Sequence, residues 1–250
     1  MRSLFPPVCL ALALAGLAPP LWAVGPIVSS AECGPAIAED PAAAREAAAY
    51  WSRTGGGVPA RLCEAAALEA MGATATAARL LTALATNPNR AMSVGLRVVA
   101  LEDGARLWLD AGAPDLASEA LDRADELGPA TPVRIRLRAR IAGASGDWER
   151  AIGLLNERLD GEPNDAEALA LRAAALRLSG DPAAAIGDAD KALALDPVHP
   201  EALFEAAAAR AETGDMEAAA DLWLELIAAR PDHPLSDLAR RNLQALTLGP

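Results

Sequence analysis

Apolar residues along this chain follow a helical period. Runs rich in Ala and Leu end at a glycine and restart beyond an aspartate or a proline. Between residues 98 and 233 this punctuation recurs every 34 residues, with Gly112, Gly146, Gly180 and Gly214 in one phase and Pro129, Pro163, Pro197 and Pro231 in another. With 19 glycines and 19 prolines in 250 residues, eight such coincidences have a chance probability on the order of 10⁻⁹, or ~10⁻⁶ after allowance for the choice of offset. The period is therefore a structural unit, and its chemistry is that of a helical hairpin. The glycine ends the first helix in the left-handed conformation, Asp147, Asp181 and Asp215 directly after it can cap the second, and the proline, lacking an amide hydrogen, stops it. One stretch, 133–141, alternates apolar and basic residues as a strand would. The phase of the repeat makes it a helix, with Ile135, Ala139 and Ala142 on the packing face and Arg136 and Arg140 together on another.

The unit 166–199 resembles the tetratricopeptide (TPR) consensus along its whole length. Leu169 stands at the large apolar position 4, Ala173, Ala185 and Ala192 at the small positions 8, 20 and 27, and Pro197 at position 32. In the same register, units begin at Val98, Pro132, Ala166 and Pro200. Position 8 is Ala105, Ala139, Ala173 and Ala207, and position 20 is Ala117, Ala151, Ala185 and Ala219. Position 27 departs at Arg158 and Leu226, so the hairpins 132–165 and 200–233 are expected to meet their neighbours less closely. The resemblance implies an all-α fold: a right-handed TPR solenoid of antiparallel helical hairpins with N-terminal and C-terminal capping helices. In that reading 58–97 is a divergent hairpin, matched at Gly72, Ala77 and Leu81 but carrying an insertion near Asn87–Leu96, and the TPR units are 98–131, 132–165, 166–199 and 200–233. Residues 24–57 are an N-terminal segment and capping helix that starts at Asp40-Pro41 and ends at the flexible Gly55-Gly56-Gly57 run. Residues 234–250 are a closing helix with Leu235, Leu238, Leu243 and Leu246 on one face and Arg240, Arg241, Asn242 and Gln244 on the other.

Residues 1–23 differ from everything after them. Arg2, an apolar run from Val8 to Ala18 and a small residue at Ala23 describe a secretory signal peptide cleaved near Ala23. The alternative is a membrane anchor, against which the run falls well short of the ~20 residues that span a bilayer. The expected location is periplasmic or secreted, with no stable membrane insertion after cleavage. Cys33 and Cys63 then remain, and an even count in an exported chain reads as one disulfide, the alternative being two buried free thiols. They flank the first predicted helix, so the bridge would clip the N-terminal segment onto the second.

The composition, 52% hydrophobic but only 3% aromatic, suits stacked helices that cross at alanines better than a single large core. A net charge of −12 argues against nucleic acid and anionic lipid as partners. Recognisable catalytic chemistry is missing from the sequence. His199 and His233, the two histidines, both occupy the turn between hairpins, Gly55-Gly56-Gly57 lacks the Lys-Ser/Thr of a phosphate loop, and no nucleophile elbow occurs. No catalytic residue, cofactor or metal is expected, and the chain is read as a non-enzyme.

The family resemblance places positions 2, 5, 9 and 12 of each unit on the concave face. Arg106, Arg136, Arg140 and Arg177 then line one groove, with Phe204 as an apolar anchor at its C-terminal end. Two accounts of these arginines stand. They form a basic cradle for an acidic segment or a C-terminal carboxylate of a protein or peptide partner, or they are solvated or paired with carboxylates of the next hairpin. The Asn and Lys set of the chaperone-tail carboxylate clamp is absent. The functional expectation is a periplasmic adaptor or scaffold, in envelope protein assembly, that binds a protein or peptide segment; the alternative is an enzyme or solute-binding protein with an unrecognised pocket.

Overall fold

The computed structural model describes residues 25–87 and 92–248. The predicted signal peptide and part of the predicted insertion lie outside these residues. Thirteen α-helices account for the described chain, and no strand is present among the described residues. They are α1 (Ser30–Glu39), α2 (Pro41–Trp51), α3 (Gly57–Ala70), α4 (Thr74–Thr86), α5 (Val94–Asp110), α6 (Pro114–Asp125) and α7 (Pro132–Ala144), followed by α8 (Trp148–Gly161), α9 (Ala166–Leu178), α10 (Pro182–Leu195), α11 (Pro200–Glu212), α12 (Met216–Ala229) and α13 (Pro234–Leu248). From α3 to α12 they pair as antiparallel hairpins, each packed on the next, and α13 covers α12.

Five hairpins turn in the same way. Gly72, Gly112, Gly146, Gly180 and Gly214 all have positive φ, from 72° to 97°. At each, the glycine amide bonds back three residues and the following amide bonds back five, as in Ala113 N to Trp108 O at 2.8 Å and Asp181 N to Leu176 O at 2.9 Å. That pair of bonds satisfies the last carbonyls of the first helix and reverses the chain. Asp147, Asp181 and Asp215 then accept the amide hydrogens of Arg150, Ala184 and Ala218. The first two hairpins have Ala73 and Ala113 at the same place and no side-chain cap.

The small residues are where helices cross. Ala105, Ala139, Ala173 and Ala207 at position 8 and Ala117, Ala151, Ala185 and Ala219 at position 20 are all buried. Leu226, one of the two departures at position 27, is fully buried instead of holding its neighbour away, because α13 meets it with Ala239. Arg158, the other, is largely buried and pairs with Asp165 at 2.8 Å.

Four local expectations are corrected. Ser30–Glu39 is a helix, which Gly34 and Pro35 had masked; Glu32 holds its start by accepting the Ser29 amide at 3.1 Å. The glycine run after α2 does not melt into a flexible link: Ser52–Gly56 forms a single π-helical turn, and positive φ at Gly55 and Gly57 redirects the chain into α3. In α7 it is Arg134 and Leu137 that are deeply buried beside Ala139 and Ala142, with Ile135 only half-buried. In α13, Leu238 and Leu246 are exposed and Ser236 and Ala239 face the core, since small residues allow closer approach to α12.

The N-terminal end is stapled. Cys33 in α1 and Cys63 in α3 form a disulfide, with Cα atoms 5.8 Å apart. It joins two helices, where the sequence had suggested a loose segment tied to a helix. Closing a loop of 30 residues contributes about 3–4 kcal/mol through the unfolded chain.

Candidate functional site

The first helix of each hairpin, α3, α5, α7, α9 and α11, lines the concave face. The packing of neighbouring hairpins brings the predicted arginines onto it and simultaneously brings carboxylates against them. Arg106 Nη2 lies 2.8 Å from Glu69 of the preceding hairpin and its Nη1 3.4 Å from Asp110. Arg140 reaches the same Asp110 at 3.1 Å. Arg136 meets Asp165 and Glu167, each at 2.8 Å, and Arg177 meets Glu205 at 2.7 Å and Glu212 at 2.8 Å.

The four guanidinium groups thus face six carboxylates, and Arg158 shares Asp165. The face is an ion-pair ladder with no excess of positive charge, which is the second of the two accounts given above. Its members differ in exposure: the side chains of Arg106 and Arg140 are 36% and 33% exposed, those of Arg136 and Arg177 only 16% and 14%. The first two are surface pairs of small energetic weight, and the last two are part of the inter-hairpin packing. Phe204 is half-buried against Leu203, Ala207 and Trp223, and so belongs partly to the C-terminal core.

Electrostatics along the ladder vary. Burial pushes the Asp165 carboxyl up, but the Ala168 amide, Arg136 and Arg158 outweigh it and hold the pKa below the ordinary value. Asp103, on the same helix as Arg106, goes the other way: burial raises its pKa, Arg106 draws it back, and Glu69 and Glu102 raise it further.

Behind the face lies a buried network that the sequence did not announce. Arg134, 1% exposed, donates from Nε to Glu102 at 3.2 Å and from Nη1 to Asp125 at 2.6 Å and to the Gly128 carbonyl at 3.0 Å. Thr131 Oγ1 also donates to Glu102 at 2.6 Å, so Glu102, expected on the groove, is buried in the joint between hairpins. For the ladder on the face, by contrast, the sequence did carry a spacing signal. A position-9 arginine, Arg106 or Arg140, meets an acid at position 12 or 13 of the hairpin before it, Glu69 or Asp110.

Depressions open between successive first helices. Two of ≈ 480 and ≈ 220 Å³ lie against α3 and α5 and share Leu62, Ala66 and Leu96. Another, of ≈ 200 Å³, lies between α7 and α9 and is lined by Arg140, Gly143, Trp148 and Ala174. His199 and His233 do not line these depressions. Each accepts a backbone amide hydrogen at a helix start, from Ala202 at 3.4 Å and from Leu235 at 3.3 Å, and both approach Glu201. Among the described residues no group of three or more His, Cys, Asp or Glu side chains could hold a metal ion. No helix among them is long and apolar enough to cross a membrane.

Comparison with known proteins agrees with this geometry. The tetratricopeptide repeat family model matches residues 136–197 and 179–234. Residues 136–234 therefore carry tetratricopeptide repeats. Its fold is similar to that of a tetratricopeptide repeat protein from Parabacteroides merdae ATCC 43184, with a TM-score of 0.72 at 14% identity over 88% of this chain and 84% of that one. It is similar to TTC0263, a thermophilic TPR protein in Thermus thermophilus, with a TM-score of 0.61 at 20% identity over 76% of this chain and 98% of that one. It also resembles a chain of the APC/C hetero-tetramer Cut9-Hcn1, with a TM-score of 0.63 at 16% identity over 87% of this chain. It spans only 43% of that chain's length. At these identities the likeness is one of fold. No curated protein sequence matches the chain.

Proposed function

We propose that this protein is an exported scaffold whose concave face holds an extended segment of a protein partner, and that it acts by binding and not by catalysis. The observation that carries the reading is the pair of depressions beside first helices, one between α3 and α5 and one between α7 and α9. Such spacing suits an extended chain that lays side chains into successive pockets. The arginine ladder supports the face in two ways. Arg136 and Arg177 tie hairpins together, and Arg106 and Arg140 are exposed enough to exchange an internal carboxylate for one on a partner. An acidic segment or a C-terminus would have to displace Glu69 or Asp110, so it gains the difference between two similar ion pairs. Export is supported by the Cys33–Cys63 bridge, which persists in an oxidising compartment, and by the character of residues 1–23. A role in envelope protein assembly is the reading that suits such a location and a protein that acts through its surface.

Photo-crosslinking tests the reading. A benzophenone side chain at Ala174, on the concave face, should capture the partner from an envelope extract, and the same group at Glu157, exposed on α8, should not. Capture from Glu157 in preference to Ala174 would move binding to the convex face and overturn the proposal.

A further inference from the structure

The N-terminal end of the concave face is unlike the rest of it. Besides the Glu69–Arg106–Asp110 ion pairs, α3 and α5 present a trough with apolar walls: Val58, Pro59, Leu62 and Ala66 on one side, Leu96 and Val99 on the other. The disulfide and Ser30 close one end. The two depressions adjoin at Leu62, Ala66 and Leu96, and the larger alone, at ≈ 480 Å³, lies within the range of occupied binding sites. Val99 is half exposed, at 52%, although it is a β-branched aliphatic residue at the mouth of a cleft.

The other end of the trough is charged. Glu69, Asp103 and Arg106 stand there, and Arg106 is already held by Glu69 and Asp110. Asp103 takes part in no ion pair among the described residues. Asp103 is an exposed side chain whose carboxyl is raised by desolvation, drawn back by Arg106 and raised again by Glu69 and Glu102, so a cation placed beside it would ease that charge. The net charge of −12 adds a long-range field of the same sign, which favours approach of cationic segments.

Resting on the concave-face reading above, we infer that this trough docks a partner segment in which large aliphatic or aromatic side chains are followed by a lysine or arginine, the side chains filling the cleft over Leu62 and Ala66 and the cation meeting Asp103. This reverses the charge preference that the arginines suggest on their own. They are paired with six carboxylates, whereas Asp103, which feels Arg106 only at a distance, is in no ion pair among the described residues.

Random dodecapeptide display panned against the full, oxidised protein tests it. Enriched peptides should carry two or more large apolar residues followed by Lys or Arg. Asp103→Lys should weaken their binding about tenfold and should restore it for the same peptides resynthesised with Glu in place of the basic residue. Ala66→Trp, which fills the trough from an exposed position, should abolish binding while leaving the circular-dichroism spectrum unchanged. Enrichment of acidic peptides, affinity undiminished by both substitutions, no enrichment at all, or self-association of the chain through this trough would each overturn the inference. Its failure is distinguishable from failure of the scaffold reading. A partner that still crosslinks at Ala174 but ignores Asp103→Lys and Ala66→Trp refutes the trough alone.

Discussion

Residues 25–125 and residues 132–233 build the same hairpins by different means. In the C-terminal part each turn pairs a positive-φ glycine with a capping aspartate, as at Gly146-Asp147, Gly180-Asp181 and Gly214-Asp215, and hairpins are tied by Arg136 to Asp165 and Arg177 to Glu205. The N-terminal part has Ala73 and Ala113 where the caps should be. It substitutes a larger apolar cluster, with Leu101, Leu107, Trp108 and Leu121, and a disulfide. Capping and ion pairs are local and repeat easily, so they suit a regular array. At the N-terminal end, where α1 and α2 pack on α3, covalent closure and apolar burial hold the stack. The Arg134 network sits where these two regimes meet, on α7 against α5 and α6.

The largest expected effect breaks that joint. Arg134→Ala would leave Glu102 buried without its counter-charge and should cost about 3–5 kcal/mol in urea denaturation. It should uncouple the two parts, seen as two transitions in place of one. A single transition shifted by less than about 1 kcal/mol would mean that Glu102 escapes to solvent.

Removing the staple comes next. Cys33→Ala with Cys63→Ala should cost about 3–4 kcal/mol and act on one part only. Hydrogen exchange should quicken in α1 to α3 and stay as it was in α9 to α12. Equal acceleration throughout would show that the hairpins fold as one cooperative block.

Gly180→Val should destabilise by about 1–3 kcal/mol, because φ is +97° there and a β-branched side chain resists that conformation. Its exchange signature should be the mirror image of the disulfide variant, concentrated in α9 and α10. A thermal midpoint that does not move would contradict the turn geometry.

The smallest effect, and the one that separates the two parts by sign, is titration. Asp165 is held below its ordinary pKa, so its stabilisation is present above the ordinary carboxylate range and is lost as pH falls through the lower, folded value. Asp103 is raised, so its ionised form penalises the fold, and that penalty fades as pH falls through the folded value toward the ordinary one. Mild acid should therefore relax Asp103 before it weakens the Asp165 joint. Asp103→Asn should remove the first effect and leave the second, as read by stability measured across the acid limb. Loss of both together would mean that the two carboxyls are coupled.

Much of the fold was legible because its causes are local or strictly periodic. A glycine needed at positive φ, an aspartate directly after it, and alanines at positions 8 and 20 carry the same meaning wherever they recur. Helix α1 was not legible. Pro35 and Gly34 argue against a helix one residue at a time, and it exists because α2, α3 and the disulfide give it something to pack on. The candidate site was half legible. The register placed Arg106, Arg136, Arg140 and Arg177 on one face, and their partners came only with the stacking of hairpins.

The amino-acid sequence by itself determined the hairpin, its length and its turns, since each depends on backbone preferences and on a period of 34. The tertiary structure decided what that face is. Arg136 meets Asp165 at a separation of 29 residues, Arg140 meets Asp110 at 30 and Arg177 meets Glu205 at 28. Those pairings depend on how far one hairpin rotates over the next, and that angle is set by side chains packed between them. The same rotation opens the trough between α3 and α5 and leaves Asp103 without an ion-pair partner among the described residues. Periodicity names the residues of a surface, and only packing fixes which of their charges are already spent.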